Sequence, residues 1–500
     1  MKKHLTTYGH ASVNLKTQRE FIMENFFKMK ELGTNIRTEF LAGMTTFLTM
    51  SYIIVVNPAI LSAAGVPFDQ VFIATIASAV IGTLIMALFG NYPIAIAPGM
   101  GMNAYFVSVV ATQGVSYQAV FGAVFVSGII FLLLTFTKFR QVLIESIPDS
   151  LKYGVTAGIG LFIAFLGLKM AGLVVPNEET LVSFGDLSIP ETQLAVFGIV
   201  ITLILVARNV KGALFIGMAI TAITGYIFNL LTIDGFISAP PAPIFFDLDI
   251  GGVVQHGLYG VIFAFLLVTI FDTTGTMIGV AEQAGLMKNG KFPRARAALT
   301  ADAIATTVGS TLGSTPSSAY VESSSGVAVG GRTGFTTLVV ALLFLVSLLF
   351  SPLVAAISSL SAVTAPALII VGSYMLFGLS NIKWNEFDEA FPTFIVVLMM
   401  PLTSSIATGI AVGFITYPLL KLVTGKGKEV HPMLYIFGVI FIIQMIFFPA
   451  HSKSFTKLFD SSNKSVYSII QHQKLNKKFY IFLSREVEGL ALRSLGNRLD

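Results

Sequence analysis

Along the chain, apolar residues come in long unbroken stretches separated by short polar joints, with no sustained two-residue alternation. Ala119–Thr137 and Thr333–Leu360 contain no charged residue, and runs of that length mark helices that cross a bilayer. Fourteen segments are read, at about 40–57, 70–90, 94–110, 117–137, 148–170, 193–207, 212–230, 252–279, 297–313, 316–330, 333–350, 353–379, 389–400 and 403–420. The pattern predicts an all-α, polytopic membrane protein.

The third and tenth segments are short and broken. Pro93, Pro98, Gly99 and Gly101 interrupt one, and Gly313, Pro316, Gly326, Gly330 and Gly331 interrupt the other. Proline removes a helix donor and glycine weakens a helix interior. Irregular backbone persists in a membrane only where it is buried in protein or lines a cavity. Two such breaks at matching places point to a midplane binding site, where freed N–H groups and half-helix N-termini meet a polar ligand.

The matching places come from internal offsets. Pro148 pairs with Pro366 at 218, Asn103 with Glu322 at 219, and Ser51 with Asp272 at 221. Three offsets this close imply a seven-plus-seven repeat, against the alternative that apolar Gly-rich segments resemble one another in general. An odd number of spans per repeat makes the two halves inverted. The division expected is 1–22 as an N-terminal cytoplasmic extension, 23–235 and 236–422 as the two repeats, 423–450 as an apolar interfacial or partly inserted segment, and 451–500 as a basic tail.

Charge supports the count. Between Met23 and Ala450 there are eighteen Lys and Arg, and seventeen precede the first segment or follow an even-numbered one. Lys169 is the exception. Glu178, Glu179, Asp186 and Glu191 share one opposite loop, and Asp234, Asp247 and Asp249 another. The positive-inside rule then puts the N-terminus and the basic loops in the cytoplasm. The net charge of +5 is thus explained without nucleic acid. Met1–Asn25 lacks the apolar core of a signal peptide, so the first segment is read as a retained anchor.

Composition agrees. The 500 residues are 54% apolar and 11% charged, with a mean hydropathy of +0.82, where soluble domains carry about 25% charged residues. There is no cysteine. No phosphate-binding loop, zinc-ligand cluster or intramembrane serine–histidine pair appears, which argues against an ATP motor, a metalloprotease or a serine protease. Neither a metal nor a cofactor is expected.

Two carboxylates remain as candidates for chemistry. Glu322 lies inside the tenth segment between "SSAY" and "SSSG"; it either faces a wet cavity or caps a half-helix. Asp272 stands in "VTIFDTTGTMIGVA" with no basic residue within ten positions; it is either buried in the eighth segment or marks its end. The reading favours burial, where a carboxylate takes up a proton or finds a donor. Such a group can couple a proton to a ligand. Asn103 is a site amide or a helix cap. Asp302 is read as bonding neighbouring helix ends, and Glu282 and His256 as rim and interfacial residues.

At these positions the chain resembles a known family. "FLAGMTTFLTMSYIIVVNPAIL" (40–61), "PGMGMNAYF" (98–106), "FDTTGT" (271–276) and "TPSSAYVESSSG" (315–326) are similar to the adenine/guanine/hypoxanthine permease branch of the nucleobase:cation symporters, related to the nucleobase–ascorbate transporters. The resemblance runs from Met23 to Phe448. It implies a core domain of segments 1–4 and 8–11 moving against a gate domain of segments 5–7 and 12–14, in the cell membrane. It also implies a purine held by Glu322, Asp272, Asn103, Ser323, Thr276 and Phe271, with Asp272 and Glu322 carrying the proton. Phe106, Phe271 and Tyr320 are available for stacking. The partners expected are purine base, protons and lipid, with a homodimer left open. An anion exchanger or sulfate-type carrier on the same fold is the alternative, and a channel ranks below it.

Overall fold

The structure is a computed structural model that describes residues 23–137, 146–287 and 292–447. Lys138, Arg140, Lys288, Lys291 and the expected extensions 1–22 and 451–500 lie outside the described residues.

The first segment is α1 (Ile36–Met50) and α2 (Ile53–Ser62), parted by a turn at Ser51–Tyr52. Asn35 caps α1, its side chain accepting from Thr38 N at 3.0 Å. Pro58 within α2 offers no N–H to the preceding turn. Just upstream, the bonds tighten to Ile54 N–Ser51 O at 3.0 Å and Val55 N–Tyr52 O at 3.1 Å. Helix α3 (Phe68–Ile85) follows and runs through a π turn to Gly90. The third segment is a strand, β1 (Ile96–Pro98), then a half-helix, α4 (Met100–Gln113). Next come α5 (Tyr117–Thr135) and α6 (Asp149–Met170). A hairpin of β2 (Val174–Asn177) and β3 (Leu181–Phe184) occupies the first acidic loop, and α7 (Pro190–Ala207) and α8 (Ala213–Ile227) follow it.

The second half begins with α9 (Ile250–Gln255), α10 (Tyr259–Gln283) and α11 (Ala295–Leu312). The tenth segment repeats the strand and half-helix as β4 (Ser317–Ala319) and α12 (Ser323–Val329). Then come α13 (Gly334–Ser347), α14 (Ser351–Ser359), α15 (Ser361–Tyr374), α16 (Phe387–Leu402), α17 (Ile406–Val423) and α18 (Pro432–Phe447).

Among the described residues, nine helices are long and apolar enough to cross a membrane. The other expected spans are the two broken segments, the short α8 and α16, and α11, whose length is sufficient but whose threonines, Arg296 and Asp302 lower its hydropathy. The sequence places the joint between the eleventh and twelfth spans at 351–352. In the structure the chain stays helical through α14 and leaves helical geometry at Leu360 (φ −103°, ψ 99°). Pro352 falls in the first turn of α14, where its missing N–H costs nothing, so it starts a helix rather than ending one. The apolar stretch within the expected segment 423–450 forms α18. Its Phe437 and Phe441 pack on Phe414 of α17 and Phe263 of α10, at ring separations of 5.1–6.0 Å.

The helices fall into two packing groups. In one, α11 packs on α3 and α5, and α13 on α1 and α3, with α12 against α1 and α10 against α5. In the other, α6 packs on α15 and α16, α16 on α17, and α7 on α8 and α15. The groups touch through α1–α8, α2–α15, α10–α6 and α10–α17. Lipid supplies little hydrophobic drive between helices, so close backbone approach matters more. Gly160 and Gly372 show this where α6 crosses α15: a Cβ on Gly160 would stand 2.6 Å from the Gly372 carbonyl oxygen.

A buried carboxylate in one group and a buried ion-pair cluster in the other hold the groups together internally. In the first group, Glu39 of α1 is fully buried and accepts from Arg332 N (2.8 Å), Thr333 N (3.3 Å), Thr333 Oγ1 (2.8 Å), Thr336 N (3.2 Å) and Thr336 Oγ1 (2.6 Å), closing the N-terminus of α13. In the second, Lys421 is read from sequence as a loop cation. It is instead buried at the end of α17, paired with Asp388 at 2.9 Å and Glu389 at 2.7 Å.

Glu39→Ala leaves those donors without an acceptor at a buried helix end, where each orphan costs about 1–3 kcal/mol. The expected result is a large fall in thermal unfolding temperature in detergent, with Glu39→Gln falling less because one oxygen acceptor remains. Unchanged melting of the alanine variant would show that the carboxylate does not hold α13.

Candidate functional site

The two broken segments complete each other. β1 and β4 pair antiparallel, in the register Ile96–Ala319, Ala97–Ser318 and Pro98–Ser317, and all six residues are buried. The pairing continues past the strands: Gly99 N donates to Pro316 O at 2.9 Å and Tyr320 N to Ala95 O at 3.0 Å. Side chains take the remaining groups. Ala95 N donates to Ser323 Oγ at 3.0 Å, Ser317 N to Thr306 Oγ1 at 3.0 Å, and Ala319 N to Thr273 Oγ1 at 3.2 Å. This is how backbone without a helix survives away from water. Gly99 is required by the crossing, because a Cβ there would stand 3.0 Å from Ser318 Oγ. The N-termini of α4 and α12 begin on either side of the strand pair.

Asp272 and Glu322 both face this crossing. Asp272 stands near the middle of α10, which continues beyond it to Gln283; the interfacial alternative would have needed a helix end. Its carboxylate is hydrogen-bonded by the Ser318 side chain from β4. Glu322 occupies the cap position of α12, yet its side chain makes no cap hydrogen bond. The carboxylate turns toward α2 instead, where Tyr52 Oη donates to Oε1 at 2.7 Å. The two carboxylates are half-buried and close enough for their charges to interact, and the Tyr320 phenol lies within reach of both. Tyr374, on α15 of the other packing group, also lies within the electrostatic reach of Glu322. On α10, Gly275, Thr276 and Gly279 continue the face that carries Asp272, and a Cβ on either glycine would meet nothing within 4 Å.

The other expected residues frame the crossing. Asn103 is fully buried; Thr315 Oγ1 donates to its Oδ1, which ties α4 to the turn before β4. Ser323 is buried, with its hydroxyl taken by Ala95 N. Thr276 is half-buried one turn beyond Asp272, and Phe271 is half-buried and packed on the main apolar core. Tyr320 donates to Pro98 O at 2.6 Å, while Phe106 is fully buried against Phe121, which makes Phe106 packing rather than a stacking surface. Asp302 accepts from Thr273 Oγ1 at 2.7 Å, a bond that joins the interiors of α11 and α10 rather than the helix ends expected. Glu282 and His256 are exposed at helix ends. Tyr52, Tyr374, Ser318 and Glu39 escape the sequence reading. The one available signal was the adjacency of Tyr52 to Ser51, the repeat partner of Asp272.

Residues 37–412 match the sequence model of the Permease family. The guanine/hypoxanthine permease PbuO of Bacillus subtilis is 55% identical over 428 residues, covering 84% of this chain and 99% of that protein. The adenine permease AdeP of Escherichia coli is 44% identical over 440 residues, covering 87% and 98%. Among solved structures, the transmembrane domain of the cyanobacterial bicarbonate transporter BicA has a TM-score of 0.58 at 18% identity, covering 75% of this chain and 97% of that one. SLC26A9 has 0.59 at 13%, covering 85% and 73%. At such identities the structural likeness is one of fold.

The frame and the open face of α10 can be separated by mutation. Thr273→Val removes the acceptor for Ala319 N and a donor to Asp302, and is expected to lower the unfolding temperature measurably, as a lost buried hydrogen bond costs about 1 kcal/mol or more. Thr276→Val, on the open face, is expected to melt as the wild type does. Equal melting of the two variants would dissolve the distinction.

Proposed function

The chain belongs to the adenine/guanine/hypoxanthine permease branch of the Permease family and is a multi-pass membrane transporter rather than an enzyme, and from that premise we propose that it imports purine nucleobases by proton symport with alternating access. Hypoxanthine and guanine are the first candidates and adenine the next, following the relatives' names. The observation that carries the reading is the pair of carboxylates brought to one crossing by separate elements, each bonded by one side-chain hydroxyl, with the Glu322 backbone N–H added at Glu322. Acceptor capacity is left over. A purine edge presents N–H donors, and a charge-assisted hydrogen bond to carboxylate is the strong way to take them.

Proton coupling follows from the same pair. Two carboxylates near one another in a dry setting do not both stay ionised without a partner. A neutral base that donates to one of them can exchange its binding for that of a proton, and mutual dependence of this kind is coupling. The anion-carrier alternative shares the fold, as the anion transporters among the solved structures illustrate. A pair of carboxylates in the site repels an anion, so this alternative is disfavoured.

Alternating access uses the two packing groups as core (α1–α5 and α9–α13) and gate (α6–α8 and α15–α17). The carboxylates ride on the core, and Tyr374 faces them from the gate. The open face of α10 at Gly275 and Gly279 is read as the route from the site toward the cytoplasm, in the orientation given by the basic loops.

Labelled hypoxanthine, guanine and adenine uptake in cells lacking their own purine permeases tests the function. Accumulation that collapses with a protonophore is expected, and no uptake of any purine would overturn the reading. Asp272→Asn imitates the protonated acid without releasing a proton. It is expected to bind or exchange substrate while failing to concentrate it, at a level the protonophore no longer lowers. An Asn variant that still accumulates and still responds would remove Asp272 from coupling. The route is tested with Gly279→Cys, since the chain has no cysteine of its own. A membrane-impermeant thiol reagent is expected to label it from the cytoplasmic side, more slowly with hypoxanthine present. Absence of labelling would place Gly279 against lipid.

A further inference from the structure

We infer that Tyr52 is a positioning residue of the substrate site: its phenol holds one oxygen of Glu322 so that the other is turned to the purine. The inference rests on the purine reading above and deepens it.

Tyr52 is 1% exposed, its ring set in the main apolar core and its hydroxyl 2.7 Å from Glu322 Oε1. A buried ring has few rotamers, so the phenol is a fixed point against which a longer, flexible glutamate can be set. The main chain around Glu322 is fixed from the same side. Thr49 Oγ1 lies 2.9 Å from Ser325 Oγ and 3.4 Å from the Glu322 carbonyl oxygen, which also accepts from Ser325 Oγ at 2.7 Å. Thr49 and Tyr52 bracket the turn at Ser51–Tyr52 that interrupts the first segment. That interruption brings a hydroxyl from each side of the break onto the residue that carries the carboxylate.

The consequence is geometric. A free glutamate at the start of α12 would turn back onto the half-helix, because a side-chain acceptor at that position finds orphan N–H groups. The structure has no cap bond from Glu322 into the first turn of α12; the carboxylate takes only its own backbone N–H and is held outward by Tyr52. With Oε1 engaged by the phenol, Oε2 keeps lone-pair capacity for a ring N–H. A ring N–H docked on a fixed oxygen loses less freedom on binding than one docked on a mobile group.

Tyr52→Phe removes only the hydroxyl. The expected result is a KM for hypoxanthine and guanine raised about 10-fold, the size of one charge-assisted hydrogen bond, with Vmax, membrane abundance and melting temperature close to wild type. An unchanged KM overturns the inference, as does a loss confined to Vmax and melting temperature. Where the variant folds poorly, the substitution is repeated on Glu322→Asp, whose shorter side chain does not reach the phenol. Binding of labelled hypoxanthine to the purified protein is then compared. Positioning through Glu322 predicts no further loss of affinity in that background, and an equal loss in both backgrounds overturns it. Wild-type protein that takes up no purine would instead fail the functional reading, a separate outcome.

Discussion

Backbone groups that leave a helix inside an apolar protein must find partners, and the rest of this structure depends on how that is done. Prolines and glycines break the third and tenth segments, and each break exposes donors and acceptors that no water reaches. The solution is mutual. β1 and β4 pair with each other, and Thr273, Thr306 and Ser323 take what the short ladder leaves. Everything else at the site follows from this crossing. It sets where α4 and α12 begin, holds Ser318 beside Asp272, and delivers Glu322 to the end of a half-helix facing α2.

The buried and half-buried acids differ in how much of their acceptor capacity is used. Glu39 takes five donors at the start of α13, and Glu389 takes Lys421, Tyr417 and Ser150. Both are occupied in joining helices. Glu322 has one side-chain hydroxyl and its own backbone N–H, and Asp272 has Ser318. A carboxylate with saturated acceptors is structure, while one with few donors still has room for a ligand or a proton. This difference, rather than burial alone, separates Asp272 and Glu322 from Glu39 and Glu389.

The proposed alternating access draws on the division into two packing groups. Each group is stitched internally by close helix crossings, the first also by the hydrogen bonds to Glu39 and the second by the Lys421 ion pairs, and the groups meet along fewer helix pairs. In the proposed cycle the carboxylates travel with the core, while the face opposite them, including Tyr374, stays with the gate.

Hydropathy, breaks and the placement of Lys and Arg were enough to read a polytopic helical protein with two irregular segments. Those properties are local: a bilayer imposes a span length and a charge bias on each segment separately. The motif-bearing stretches at 98–106, 271–276 and 315–326 also identified the two carboxylates and the family. Partnership was not legible. Whether Glu322 capped its half-helix or faced outward depended on a tyrosine 270 residues earlier in the chain. That Lys421 is a buried ion pair rather than a loop cation, and that Glu39 closes α13, likewise depended on distant residues. So did the joint at Leu360, because Pro352 starts a helical turn as readily as it ends one. A hydrogen bond joins groups that neighbour each other in space, and only the packing of the helices decides which residues those are.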